Sequence, residues 1–323
     1  MLNWPSELTL VFEKFVTCEY ASLNKQGTPI TYPCTPYVGD GTLDVSTGLT
    51  YPAKAERAWR NPKVALSFSY ARGSGLTQPP TVLVLGHAAV RDANLQANTD
   101  RYVRATLNKS PDTYKGQPNF LLRRLTWYFA RIWIEVTPLQ ILWWPAGNLN
   151  AQPQTWEAPQ NVTLPKSDPE PQGQQPPAWK EPPVTWLAGL KRALKLGKPV
   201  LTVVNADGYP VPIRVADVRL EKDELWLNLH AGTPLQPQGA ACLTFHAHPE
   251  IFTGQENLAF VGNVSSSGDT AHFKVERQLG DWSLTGTGLK QMLAFMGKQR
   301  VLAPRLKSEA ARRGQPVPRV NLP

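Results

Sequence analysis

The 323-residue sequence predicts a mainly β, α+β fold built from two tandem β units. Three observations carry that expectation. Short runs of alternating β-branched and aromatic residues are bounded by Gly, Pro, Asn and Asp turns, the pattern of antiparallel strands in a barrel or sandwich. Residues 151–183, AQPQTWEAPQNVTLPKSDPEPQGQQPPAWKEPP, offer no apolar period for a helix or a strand and read as a semi-rigid linker. The stretches on either side, 1–150 and 184–323, resemble each other. The length agrees, because single cores usually stop growing at about 250 to 300 residues.

Taken in order, the first unit runs through the strand of FVTCEYASLN and turns at Gly27-Thr28-Pro29. It continues in TPITYPCTP, turns at GDG and enters TLDVST. The second unit repeats the plan in PVLTVVNADGYPVPIRVADVRLEKDELWLNL, where Gly208 and Pro210 match Gly27 and Pro29, and Leu225 matches Leu43 after one inserted residue. Further on, TVLVLGHAAVRD pairs with NLAFVGNVSSSGD through Gly86 and Gly262, and ARIWIEVTPLQILWW is echoed by AHFKVERQLGDWSL. This is an internal duplication. Helices are expected at Ala53–Arg60, Asp100–Leu107, Phe120–Trp127, Trp186–Leu196 and Leu289–Arg313. The last should break at Pro304, which lacks a helical N–H donor.

Composition narrows the function. Hydrophobic residues make up 41% of the chain and 11 are tryptophan, enough for packed cores, so the 31 prolines mark local extended segments and not a disordered chain. A net charge of +9 is compatible with a phosphorylated ligand, an anionic surface or nucleic acid. The basic residues are dispersed, which disfavours nucleic acid, and the densest run, RLKSEAARRGQPVPR, reads as the polar end of a helix and a tail. Three widely spaced cysteines, Cys18, Cys34 and Cys242, indicate neither a disulfide framework nor a zinc site. With no long apolar run and no leader pattern, a soluble cytoplasmic protein without a membrane partner is expected. No nucleophile elbow, phosphate-binding P-loop or dinucleotide fingerprint is present, and no catalytic acid–base pair is identifiable.

One stretch carries chemistry. LDVSTGLTYPAKAERAWRNPKVALSF places hydroxyls and a lysine between a strand and a helix, where unpaired N–H groups and the positive helix end favour an anion such as phosphate. The ordinary alternative is a strand end, a turn and a helix with an exposed lysine.

Taken together, LNKQGTPITYPCTPYVGDGTLDVST, the lysine that follows and RNPKVALSF resemble the pyridoxamine 5'-phosphate oxidase-like family of flavin-binding split barrels. The likeness covers most of residues 10–144 and, more faintly, 185–284. It implies two tandem split β-barrel halves forming an intramolecular pseudo-dimer, a monomer in this respect, with FMN in a groove between the halves. Carried over residue by residue, it places Ser46 and Thr47 near the cofactor phosphate, Lys54 as its cationic partner, and Thr31, Tyr32 and Pro33 beside the flavin ring. Arg57, one turn from Arg60, is compatible with a substitute phosphate contact or with a solvent-facing charge. Pro52 and Ala53 stand where Ser and Arg are common, and the ring strand lacks the oxidase's own Arg and Lys, which argues against pyridoxamine 5'-phosphate oxidase activity itself. The matching stretch of the second unit, HAGTPLQPQGAACLTFH, has neither Lys nor Arg and reads as a degenerate site.

The resulting expectation is a flavin-dependent oxidoreductase that transfers a hydride to or from a small substrate. The alternatives are a deazaflavin-dependent reductase or a non-catalytic flavin- or haem-binding or sensing protein. His246 and His248, two apart on a strand, share a face that is compatible with haem or metal; with no third ligand apparent, polar surface at a strand end beside Pro249 is the commoner reading. His87 is compatible with a place in the groove or with a half-buried strand. Arg131, in an amphipathic strand, is within reach of an anionic ligand on the same reading.

Overall fold

The computed structural model describes residues 3–111, 117–177, 185–222, 224–280, 282–283 and 289–322. It is mainly β, with two curled antiparallel half-barrel sheets accompanied by helices. The first sheet is built from β1 (Cys18–Leu23), β2 (Pro29–Cys34), β3 (Tyr37–Val38), β4 (Leu43–Gly48), β5 (Lys63–Phe68), β6 (Thr81–Arg91) and β7 (Arg131–Trp144), in the spatial order β2-β1-β5-β6-β7-β4-β3. β8 (Gln154–Glu157) adds to β7. The second contains β9 (Val200–Val204), β10 (Pro210–Arg214), β11 (Asp217–Glu221), β12 (Glu224–Asn228), β13 (Gly239–Ala247), β14 (Glu256–Ser267) and β15 (Thr270–Gln278), ordered β10-β9-β13-β14-β15-β12-β11, with β16 (Trp282–Ser283) on β14. Position by position the two orders are the same, so the duplication is topological as well as sequential.

Local chemistry repeats with it. Asn24 donates its N–H to the Thr28 carbonyl and accepts the Gly27 N–H on its own carbonyl, while its side-chain oxygen accepts the N–H groups of Gln26 and Thr28. Asn205 makes the same turn with Tyr209 and Gly208. Both glycines sit at φ +79°, a left-handed conformation that glycine adopts without steric penalty. Counting from the bonded pairs Asn24–Thr28 and Asn205–Tyr209, bonded and non-bonded positions alternate along each hairpin. Pro29, Pro33, Pro210 and Pro212 all fall at non-bonded positions, where the missing N–H costs no ladder bond. The central strands carry matching register shifts at Leu85/Gly86 and Val261/Gly262. A Cβ at Gly86 would lie 2.7 Å from the Thr137 carbonyl oxygen, and one at Gly262 would collide with that of Lys274.

The helices are α1 (Thr9–Lys14), α2 (Ala53–Arg60), α3 (Leu95–Lys109), α4 (Asn119–Leu122), α5 (Thr126–Phe129), α6 (Trp186–Ala193) and α7 (Leu289–Arg312). α2 has the expected bounds. α3 is longer than expected because Asn94 caps it, accepting the Ala97 N–H. The helix expected at Phe120–Trp127 divides into α4 and α5, and α6 passes into a 3-10 turn at Leu194–Leu196. Pro304 does not break α7. It is exposed, so the Arg300 carbonyl that loses its helical donor lies on the solvent side, while Leu302, Leu306 and Ala310 continue the buried face.

That face does not cover the second unit, whose sequence it follows. Leu302, Leu306 and Ala310 belong to the core of the first barrel with Phe12, Phe15, Phe68 and Trp127. The proline-rich segment is also engaged: Gln154–Glu157 form a strand that the sequence did not suggest, supplied by pairing to β7. Further on, the Asp168 carboxylate accepts the N–H groups of Asp92 and Ala93, and its carbonyl accepts the Trp59 indole. Residues 178–183 of that segment, with 184 after it, lie outside the described residues.

Candidate functional site

The halves meet across β1, β2, β5 and β6 from the first and β9, β10, β13 and β14 from the second. Ala21, Ala65, Leu83 and Leu85 pack into the second unit's core, and Ile30 packs with Cys242, Ala259 and Val261. In the seam, Thr31 Oγ1 lies 2.6 Å from Thr202 Oγ1, and the Thr31 carbonyl accepts the Thr244 hydroxyl. Thr31 therefore sits in the join between the halves, with both its hydroxyl and its carbonyl occupied.

Beside the seam, three cations come within electrostatic reach of one another. α2 contributes Lys54 and Arg57, and the start of β7 contributes Arg131. Lys54 is half-buried with Nζ 5.2 Å from the centre of the Tyr32 ring, and among the described residues it makes no hydrogen bond or ion pair. Arg57 is 8% exposed; its Nε donates to Ser22 Oγ at 2.9 Å, while its Nη2 is buried without a partner among the described residues. Arg131 stacks its guanidinium on Tyr102 and Tyr128 and donates to the Tyr102 hydroxyl at 2.9 Å. Burial pulls the Lys54 pKa down, and the charges of Arg57 and Arg131 add to that pull against an opposing effect of Cys34. Like charges held together with burial carry a cost that an anion between them would relieve.

The hydroxyls are placed less favourably. Thr47 is buried and donates to the Tyr51 carbonyl at 2.8 Å, so its proton is already spent inside the loop. Ser46, half-buried opposite Trp133, alternates to the other face of β4 from Thr47. Pro33 faces Glu19 across the β1–β2 pair, and Tyr32 lies under Lys54. The structure thus brings together Tyr32, Lys54 and Arg57, adds Arg131, and places Thr31 in the seam, Pro33 opposite Glu19, Ser46 opposite Trp133 and Thr47 bonded within its own loop.

The second unit repeats this arrangement of elements. β10 stands for β2, and the stretch after β12 stands for the loop after β4, with β5 and β6 as the opposite wall. A small cleft lies there, lined by Ser67, Ser69, Trp144, Arg214, His230 and Thr233 among others. Its loop forms no helix and carries no lysine or arginine, as expected of a degenerate copy.

Next to the cleft is a charged network that the sequence did not reveal. Arg214, in the position of Pro33, donates through Nη2 to Glu19 Oε1 at 2.5 Å and through Nε to Ser69 Oγ at 2.9 Å. The Ser69 hydroxyl lies 2.9 Å from both Glu19 carboxylate oxygens, and His246 Nε2 lies 2.8 Å from Oε1. Burial pushes the Glu19 pKa up, but Arg214 and the His246 and Ser69 contacts outweigh it and hold the carboxyl at about 2. Burial lowers the His246 pKa despite Glu19, so its imidazole is neutral. The only sequence signal was a charged residue in each of two otherwise apolar strands, CEYASL and PVPIR.

His246 and His248 are not an exposed polar strand end. They are 2% and 3% exposed, and His248 contacts the Thr17 hydroxyl and the Pro249 carbonyl. Among the described residues, no group of three His, Cys, Asp or Glu side chains is arranged to hold a metal ion. No described helix is long and apolar enough to cross a membrane.

No family model matches the sequence, and no curated protein matches it. Solved structures do. The general stress protein 26 of Bacillus anthracis is 16% identical over 47% of this chain and 95% of its own, with a TM-score of 0.29. An FAD-binding protein of Mesorhizobium loti is 19% identical over 44% of this chain and 94% of its own, TM-score 0.30. A haem-binding protein of Mycobacterium smegmatis is 12% identical over 48% of this chain and 59% of its own, TM-score 0.32.

Proposed function

We propose that the chain binds a phosphate-bearing flavin, FMN, in the groove between its two halves and acts as a flavin-dependent oxidoreductase on a small substrate. The observation that supports this is the cation cluster: among the described residues Lys54, over the Tyr32 ring, makes no hydrogen bond or ion pair and Arg57 Nη2 is buried without a partner, and Arg57 and Arg131 both act on Lys54. These residues fit an anionic group. A charge-assisted hydrogen bond in such a place is worth about 1.5 to 3 kcal/mol, and two cations supply that without the Thr47 hydroxyl.

In this reading Lys54 and Arg57 hold the phosphate, Tyr32 borders the ring, and Ala259 and Val261 of the second half, packed with Ile30 next to Tyr32, back the far wall. Both walls come from one chain, so the site needs no second copy. When bound, the isoalloxazine supplies the redox chemistry, and the protein supplies binding, orientation and electrostatics.

The test is an absorption spectrum of the purified protein, repeated after adding FMN and desalting, followed by anaerobic titration with NADH and NADPH. A retained flavin band that bleaches on reduction is expected. A retained deazaflavin or haem band would redirect the chemistry, and a retained flavin that neither nucleotide nor dithionite bleaches would leave a binding protein. Failure to retain or titrate FMN at all overturns the proposal.

A further inference from the structure

A pair of thiols at the inner end of the first hairpin has no part in the flavin reading. Cys18 and Cys34 are direct partners in the β1–β2 ladder, and both side chains belong to the first barrel's core. Counting alternate positions from the bonded pair Asn24–Thr28 makes Cys18–Cys34 a hydrogen-bonded pair, for which opposed Cα atoms lie about 5.5 Å apart. That falls within the roughly 4.4–6.8 Å span of disulfide-bonded cysteines, and opposed residues on adjacent strands point their Cβ atoms to the same side. Each is a free thiol in this structure, and Cys34 adds to the effect of burial in raising the Cys18 pKa.

We infer that Cys18 and Cys34 form a reversible redox pair that closes to an intrachain disulfide on exposure to a low-molecular-weight disulfide. Cys34 is the attacking group, because it is 7% exposed against 0% for Cys18 and stands in the field of Lys54, Arg131 and Arg57. Its thiolate attacks one sulfur of the oxidant and expels a thiolate. Cys18, deprotonated in turn, attacks the Cys34 sulfur of the mixed disulfide and releases the second. The protons lost by the two cysteines are taken up by the two departing thiolates. The balance is two protein thiols and one small disulfide giving one protein disulfide and two small thiols, a two-electron oxidation of the protein.

Burial keeps both groups protonated at neutral pH, pushing the Cys18 thiol well up and raising that of Cys34 against the three cations. Closure is therefore slow near neutrality and accelerates as pH rises, because the attacking species is the thiolate. It also waits on opening of β2, which lies at the edge of its own sheet but is covered by β13. Cys242 lies on β13 in the seam and has no cysteine opposite it, since its ladder partners are Thr202 and Val261. It is the internal control. The inference is independent of the flavin reading, since the same chemistry is read with no cofactor bound.

The full chain is incubated with oxidised glutathione at increasing pH, quenched in acid, unfolded and alkylated with N-ethylmaleimide, and its intact mass and peptide map are recorded. The expected result is a fall from three alkylated cysteines to one, a peptide linked through Cys18 and Cys34, and full reversal by dithiothreitol. Cys242→Ala should close at the wild-type rate, while Cys18→Ser and Cys34→Ser should not close. Three alkylated thiols after prolonged exposure of the folded chain overturn the inference. So does glutathione stably held on Cys34 with no crosslink, or a crosslink that forms only after denaturation.

Discussion

Lys54 carries its charge where water solvates it poorly, and two further cations lower its pKa again. If it holds the FMN phosphate, affinity should fall on the alkaline side as the ammonium loses its proton, and Lys54→Arg should move that fall to higher pH. Fluorescence titration of FMN across pH checks both. At neutral pH, Lys54→Ala should weaken FMN binding about tenfold or more, the equivalent of one charge-assisted contact of roughly 1.5 kcal/mol. Unchanged affinity would remove Lys54 from the site. Glu19→Gln makes a different demand, because it leaves Arg214, 11% exposed at its side chain, without its carboxylate. Breaking a buried pair on one side costs about 3–5 kcal/mol, to be read as a lower urea midpoint. Lys54 was legible in the sequence because strand, turn and helix start are neighbours along the chain. Glu19 and Arg214 were not, because 195 positions separate them and either alone reads as a surface charge.

Among the elements, the hairpins were the most readable, since Asn24-to-Pro29 and Asn205-to-Pro210 encode their turns within six residues each. The loop between β4 and α2 was half readable: its length and hydroxyls are visible in sequence, but the spending of the Thr47 proton on the Tyr51 carbonyl depends on how the loop closes. The long C-terminal helix was misread at Pro304 because a proline is judged by what surrounds the helix, and here the side that loses a hydrogen bond is the wet one. Leu306 tests its role. Leu306→Ala should cost about 2–5 kcal/mol, the usual range for truncating a buried leucine. Because Arg305 donates to the Thr50 carbonyl in the loop between β4 and α2, the variant should also weaken FMN binding, if that loop borders the phosphate, where the fold survives.

At the scale of the molecule, two sheets of one topology are joined by an apolar seam and a buried ion pair. The join should be sensitive to acid. His246 has its pKa depressed by burial, so below about pH 6.5 the unfolded chain takes up a proton that the folded chain refuses. Glu19 is held at about 2 against an ordinary value of 4.5, so its contribution is present above that ordinary value and lost as pH falls through the interval. Stability should therefore decline in two stages on acidification, and His246→Gln should shrink the first, of which His248, its pKa also lowered by burial, keeps a share, as urea titrations at successive pH values would show. The C-terminal helix has a consequence for how the chain is made. Leu302, Leu306 and Ala310 complete the core begun by Phe12, Phe15 and Phe68, so a ribosome must deliver the chain through Ala310 before that core is complete. While the second unit is being synthesised, the first waits with an open apolar face, the kind of surface that chaperones bind and that aggregates when left uncovered.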